Sequence, residues 1–279
     1  MLNKYSLNLF IILLTLASCT KKIDRINLKQ NMENIKNIPQ PKWDNLVRQK
    51  IYFGHQSVGY NMIDGIEAIL NENPNIKLNI KKGKNIDLFN IPIFAHDNNG
   101  SNRDTKAKID DFCNTLKNGL GNTVDIAGFK FCYVDIENDS DIKGIFDYYK
   151  MKMNEISLKF PKVKIIHFTV PIKSLQAGPK GFIKKLLGKD IGIKDNMARL
   201  YFNELLVNEY KDHFIFDLAE AESTYSDGSR EYSEVDGKTI FTMIPAYTND
   251  GGHLSKKGKL IIGSDLLIFL TNLPNGRNN

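Results

Sequence analysis

Cysteine is scarce in this chain, three residues in 279, and there is a single tryptophan. So few thiols exclude a disulfide-stapled scaffold. No Cys-x-x-Cys pair occurs, and His96-Asp97 and His167 form no metal-ligand cluster at a recognised spacing. A phosphate-cradling glycine loop and a dinucleotide fingerprint are both lacking, so neither a metal nor another cofactor is expected. Charge of one sign is modest: 38 basic against 32 acidic residues leave +6. The lysines are scattered and no basic stripe is interleaved with aromatics, which gives no case for a nucleic-acid partner. There is no internal repeat and no low-complexity block. With 42% hydrophobic and 25% charged residues, the composition excludes wholesale disorder and fibrous repeats. Long apolar runs are also missing, except one at the start, Leu7 to Leu16.

That run is flanked by Lys4 before it and Leu16-Ala17-Ser18-Cys19 at its end. It is too short for a permanent membrane span. Residues 1–18 resemble a bacterial lipoprotein signal peptide with its lipobox. The resemblance implies cleavage before Cys19, diacylglycerol on its thiol and acylation of the new amino group, which together give stable anchoring. An ordinary secretory signal with an incidental cysteine is the alternative. Residues 19–45 then read as a lipidated N-terminus and polar tether ending in Pro39-Gln40-Pro41. Residues 46–279 read as one domain, a monomer held to the cell-envelope membrane through Cys19 and facing the periplasm or exterior. Cys113 and Cys132 sit among apolar residues. Two buried thiols are expected there, with a disulfide as the alternative.

Past Trp43 the pattern alternates short apolar runs with amphipathic ones. Strands are predicted at Lys50–Phe53, Ile76–Ile80, Ile126–Ile136, Val163–Val170 and Phe214–Leu218. Helices are predicted at Tyr60–Leu70, Thr105–Leu116, Asp141–Phe160, Asp195–Tyr210 and Lys256–Leu270. Such alternation predicts an α/β fold, a three-layer αβα sandwich around a mostly parallel sheet of about five strands. Functional residues in such sheets gather at the carboxyl ends of strands.

The first strand runs into Gly54-His55-Gln56-Ser57-Val58-Gly59, and a helix follows at once. A serine there has its hydroxyl near a helix N-terminus, where backbone N–H groups stabilise developing negative charge. Ser57 as a plain helix cap is the alternative. Near the end, Thr248-Asn249-Asp250-Gly251-Gly252-His253-Leu254-Ser255 precedes the last helix. An Asp and a His three residues apart can be neighbours, the carboxylate orienting the imidazole and the imidazole taking a serine proton. A solvated turn followed by a Ser255 cap is the alternative.

Taken together, these blocks resemble the SGNH (GDSL-like) hydrolase family over about Lys50 to Leu270. The resemblance implies a flavodoxin-like fold, with Ser57 as nucleophile, His253 as general base and acid, and Asp250 as its orienter. It also implies an oxyanion hole made by the Ser57 amide, a glycine amide and an asparagine side chain. Gly100, in Asn98-Asn99-Gly100-Ser101-Asn102, is the glycine candidate. Asn138, in Ile136-Glu137-Asn138-Asp139, is the asparagine candidate, with Asp135 as the alternative equivalent site and Asn102 then as donor. The chain departs from the family pattern by carrying His55-Gln56-Ser57 where Gly-Asp-Ser is usual, and by lacking the glycine of the third block. His55 is expected to pack, and Arg199 to sit in a structural ion pair, with substrate binding the alternative for each. Tyr225, Tyr232, Phe241 and Tyr247 either wall a substrate or pack a loop.

The resulting expectation is an exported, lipid-anchored serine esterase that removes small acyl groups, acetyl among them, from a carbohydrate or other ester through an acyl-enzyme. The alternatives are a non-catalytic glycan-binding lipoprotein and an acyltransferase using the same triad.

Overall fold

The computed structural model describes residues 33–175 and 192–274. The signal peptide of residues 1–18 and the lipidation of Cys19 lie outside them. Strands β1 (Lys50–His55), β2 (Ile80–Lys82), β3 (Ile93–Asn98), β4 (Ile126–Phe129), β5 (Lys164–Phe168) and β6 (Phe214–Phe216) form one sheet, ordered β2-β3-β1-β4-β5-β6. Every neighbouring pair in it is parallel. β1, β4 and β5 are buried over nearly their whole length, the mark of a parallel strand covered on both faces.

Side chains alternate between the faces as strand geometry requires. Ile51, Phe53, Ile126 and Ile166 join one apolar cluster, while Tyr52, Ala127, Phe129 and Ile165 join the other. The first cluster is closed by α1 (Gln40–Leu46), α2 (Val58–Glu72) and α7 (Lys256–Thr271). The second is closed by α3 (Thr105–Lys117), α4 (Ile142–Lys159) and α5 (Ile193–Tyr210). A short helix α6 (Leu218–Ser223) leads to a hairpin, β7 (Tyr232–Val235) and β8 (Lys238–Phe241), in a small sheet of its own. This is the expected three-layer αβα sandwich, with six strands in the main sheet rather than five.

Beyond the short edge strand β2, the order β3-β1-β4-β5-β6 is the doubly wound flavodoxin-like arrangement. The chain leaves β1 for β3 on one side and returns to β4 on the other. The crevice at the carboxyl end of β1 is therefore the switch point, where such sheets bind ligands.

Several expectations change. The tether does not extend to residue 45: Ile35, Trp43 and Leu46 are buried in the first cluster, so the domain begins before Trp43. The strand expected at Ile76–Ile80 forms only from Ile80, and β3 comes in addition. The strand expected to reach Ile136 stops at Phe129, where the chain turns into a 3-10 turn, Tyr133–Asp135, capped by Asp135. Cys113 and Cys132 are both free and buried.

Candidate active site

Ser57 lies between β1 and α2 with φ 53° and ψ −111°, one of three described non-glycine residues at positive φ. Such backbone costs about 1–3 kcal/mol and persists where the surroundings impose it. The hydroxyl makes no capping bond to α2. It meets His253 Nε2 instead, at 2.7 Å. Two neighbours hold the turn. Gly59 packs against the His55 ring so closely that a Cβ would overlap it. The Gln56 side-chain amide donates to the Gly100 carbonyl on the loop after β3.

The partner loop is equally fixed. Asp250 Oδ2 accepts from His253 Nδ1 at 2.6 Å, while its Oδ1 accepts from the amides of Gly252 and His253 at 2.9 and 2.8 Å. Burial raises the carboxyl pKa, but the His253 ring and those two amides outweigh it and hold the group well below the usual carboxylate range. A carboxylate accepting at Nδ1 leaves Nε2 free to accept the Ser57 proton. Asn61, one turn along α2 from Ser57, accepts the Leu254 amide at 3.0 Å and ties the histidine loop to the nucleophile's helix. Thr248 and Leu254 close the loop with an antiparallel bridge. The structure thus brings Ser57, His253 and Asp250 into one hydrogen-bonded line, with the His253 and Asp250 side chains about half exposed (46% and 55%).

Of the two other oxyanion candidates, one is fully engaged and the other in part. The Gly100 amide donates to Asp111 Oδ2 at 2.9 Å, so its single hydrogen is committed. Asn138 gives its backbone N–H and one of its two side-chain amide hydrogens to Asp195 Oδ1, at 3.1 and 3.0 Å. The alternatives are engaged through their acceptor oxygens. Asn102 accepts from Lys108 Nζ, and Asp135 forms a wholly buried ion pair with Lys108 at 2.5 Å. Asp135 also accepts the Cys132 amide at 2.6 Å and the Arg103 amide at 2.7 Å, tying the loop after β3 to the loop after β4. Ser57's own amide remains from the expected hole, as do the side-chain N–H groups of Asn102, which is engaged through its Oδ1, and the second side-chain hydrogen of Asn138.

His55 is buried between Phe53, Tyr60 and His96, with its Nε2 3.0 Å from His96 Nδ1. It packs, as expected. Arg199 is buried as well, donating to the Tyr133 carbonyl at 2.7 Å and to Asn196 at 2.8 Å, with Asp195 4.0 Å away. It is structural and braces the loop that carries Tyr133. The Tyr133 ring stands edge-on to His253, 5.7 Å between centroids, and fills the space over Gly252, where a Cβ would come within 2.7 Å of it. Sequence reasoning passed over Tyr133 and Asn61, because nothing in their local pattern marks them. Of the tyrosines near the Asp-x-x-His block, Tyr247 is core and Tyr225 bonds Glu231. Phe241 lies under Arg230 at 3.6 Å and lines a cavity of about 500 Å³ whose walls include neither Ser57 nor His253. Among the described residues no group of three His, Cys, Asp or Glu is arranged to hold a metal ion.

No family model matches the sequence, and no curated protein sequence does. Solved structures resemble this chain only distantly, at low identity. One, from Streptococcus pneumonia, is described as a platelet activating factor: 14% identity, 95% of this chain and 99% of that one, TM-score 0.47. Another is the acetyl xylan esterase AlAXEase: 12% identity, 78% of this chain and 97% of that one, TM-score 0.43. A third is the periplasmic domain of a lipopolysaccharide acetyltransferase from Salmonella ser. Paratyphi A: 13% identity, 77% of this chain and 80% of that one, TM-score 0.44.

Proposed function

We propose that this protein is an SGNH-type serine hydrolase of carboxylic esters, working through an acyl-enzyme on Ser57. The observation that supports it is the unbroken hydrogen-bonded line from Ser57 Oγ through His253 to Asp250. In this reading His253 Nε2 takes the serine proton as Oγ adds to the ester carbonyl. Asp250 holds the imidazolium that results, and the Ser57 amide, at the N-terminus of α2, faces the developing oxyanion. His253 then returns the proton to the leaving alcohol, and a water activated in the same way releases the acid. The substrate class, small acyl esters such as acetyl groups on a carbohydrate, rests on the family resemblance of the two sequence blocks.

Acyl transfer, in which a sugar hydroxyl replaces water, would use the same line of residues. Product analysis with and without an added sugar acceptor separates the two. A non-catalytic glycan-binding role is the rival favoured by the committed Gly100 amide.

The deciding experiment is labelling with a fluorophosphonate probe, with the adduct located by peptide mass spectrometry. An adduct on Ser57 that is lost in Ser57→Ala, together with loss of ester turnover in that variant, is expected. A folded protein that neither labels nor hydrolyses a small ester would leave the binding role as the reading. Lipid anchoring through Cys19, at the cell envelope, belongs to the same proposal. Cys19→Ser should move the protein from the membrane pellet to the soluble fraction, and retention in the pellet would refute it.

A further inference from the structure

Two tyrosines border Ser57, and each carries a lysine. On the β3 side, Tyr60 stands in the first turn of α2, donates to Asn98 Oδ1 at 2.8 Å and sets its ring edge against His55 at 4.6 Å. Lys82, at the end of β2, places its ammonium 5.2 Å from the centre of that ring. On the β4 side, Tyr133 stands against His253, and the Lys173 ammonium lies 5.1 Å from its ring centre. Because β3 and β4 flank β1 on opposite sides, the two tyrosine–lysine pairs belong to opposite sides of the strand that leads into the nucleophile.

Both are anchored, and both are available. Lys82 lies in register with His96 on β3. The Lys173 backbone is held by Asn196 through both its amide and its carbonyl, at 3.0 and 2.7 Å. The next residue, Ser174, donates to the Gly251 carbonyl at 3.0 Å, within the histidine loop. Among the described residues neither ammonium forms an ion pair with a carboxylate. The Tyr60 side chain and, across space, Asp97 favour the charged Lys82, though Asp97 makes no direct ion pair with it; Asp250 is closed by His253 and Gly252. A ring face steadies an ammonium weakly, by about 0.5–1 kcal/mol when exposed, and leaves its remaining directions open to a stronger anionic partner.

We propose that the ester taken by this site carries a negative charge, a carboxylate or comparable anionic group, which Lys82 and Lys173 receive on either side of Ser57. This rests on the reading of Ser57 as the nucleophile and narrows its substrate class.

The test compares matched esters that differ in charge. 4-Acetoxybenzoate against its methyl ester places the charge on the alcohol side. The mono-4-nitrophenyl ester of adipic acid against 4-nitrophenyl valerate places it on the acyl side. Each kcat/KM is divided by the ester's rate with hydroxide. In at least one pair the charged member should lead about five- to tenfold at low salt, and the lead should shrink as ionic strength rises. In the Lys82→Gln, Lys173→Gln double variant, checked for folding by circular dichroism, the ratio should fall to about one. A wild-type ratio near one in both pairs, or a ratio unmoved in the double variant, would overturn the inference. If no ester turns over and Ser57 takes no fluorophosphonate, it is the nucleophile reading that fails. Calorimetric titration with 4-acetoxybenzoate then decides the charge question: salt-sensitive binding weakened in the double variant supports it, and no binding refutes it.

Discussion

Asp250 is held by four donors, and only one of them is chemical in purpose: two amides and the Thr248 hydroxyl fix the carboxylate, while the His253 ring reads its charge. An asparagine keeps the amide acceptor but turns an N–H toward Nδ1, which selects the wrong imidazole tautomer. Asp250→Asn should therefore lower kcat by about 10³- to 10⁴-fold while leaving KM and the melting temperature nearly unchanged. Steady-state kinetics beside a thermal melt checks this, and equal losses in turnover and stability would assign the residue to structure. At this scale the serine and the Asp-x-x-His pair were legible because each sits in a short pattern at a strand or helix boundary. The oxyanion donors were not. Whether the Gly100 amide or the Asn138 side chain is free depends on Asp111 and Asp195, acceptors that only the folded chain brings near. Asn61 and Tyr133 were invisible for the same reason.

Among the elements, α2 and α7 bring the two parts of the site together, and they do so through glycine. A Cβ on Gly65 would overlap the Lys259 carbonyl, and one on Gly263 would come within 2.8 Å of the Ile66 amide. The backbones meet there with nothing flexible to give way. Gly65→Ala should force the helices apart and cost about 1–3 kcal/mol, visible as a lower denaturant midpoint, with turnover falling because Asn61 and Leu254 shift with the helices. An unchanged midpoint would mean the contact can relax. The five predicted helices all form, because amphipathic spacing over ten or more residues is a strong signal. β3 was missed as a brief run after Pro92 that ends in His96 and Asp97, polar residues buried or half-buried only because β1 and β2 cover them. The β7–β8 hairpin did have a local signature. Asp236-Gly237, both at positive φ, is the two-residue turn such hairpins favour, set between exposed strands with little apolar alternation to draw notice.

For the molecule as a whole, an acidic group held in the interior links stability to pH. Glu222 is fully buried, with Oε2 accepting the Ile172 amide at 2.8 Å and Oε1 lacking a hydrogen-bond partner among the described residues. Burial pushes its pKa up to about 8, against the lowering effects of the Ile172 amide and of Lys130 and Arg199. An unfolded chain releases that proton near the ordinary glutamate value of about 4.3. Between the two values the unfolded state is favoured, so this contribution to stability is complete below the lower one and is lost as pH rises through about 8. Glu222→Gln should match the wild type near pH 4.5. Above pH 8 it should melt higher by at least about 3 °C, the shift expected for roughly 1 kcal/mol in a domain of this size. Parallel melts across that range would show that Glu222 does not carry the linkage.

Ser57 and His253 are 196 residues apart in the chain and 2.7 Å apart in space. Synthesis runs from the N-terminus, so the serine and the whole sheet are made long before the histidine, and α7, which clasps α2, comes later still. Through most of its synthesis the chain holds a serine with no base beside it. The Ser–His–Asp line can close only when the final helix docks. Any chemistry it performs is withheld from the ribosome and from partly folded chains alike, and the appearance of activity would report completion of the fold.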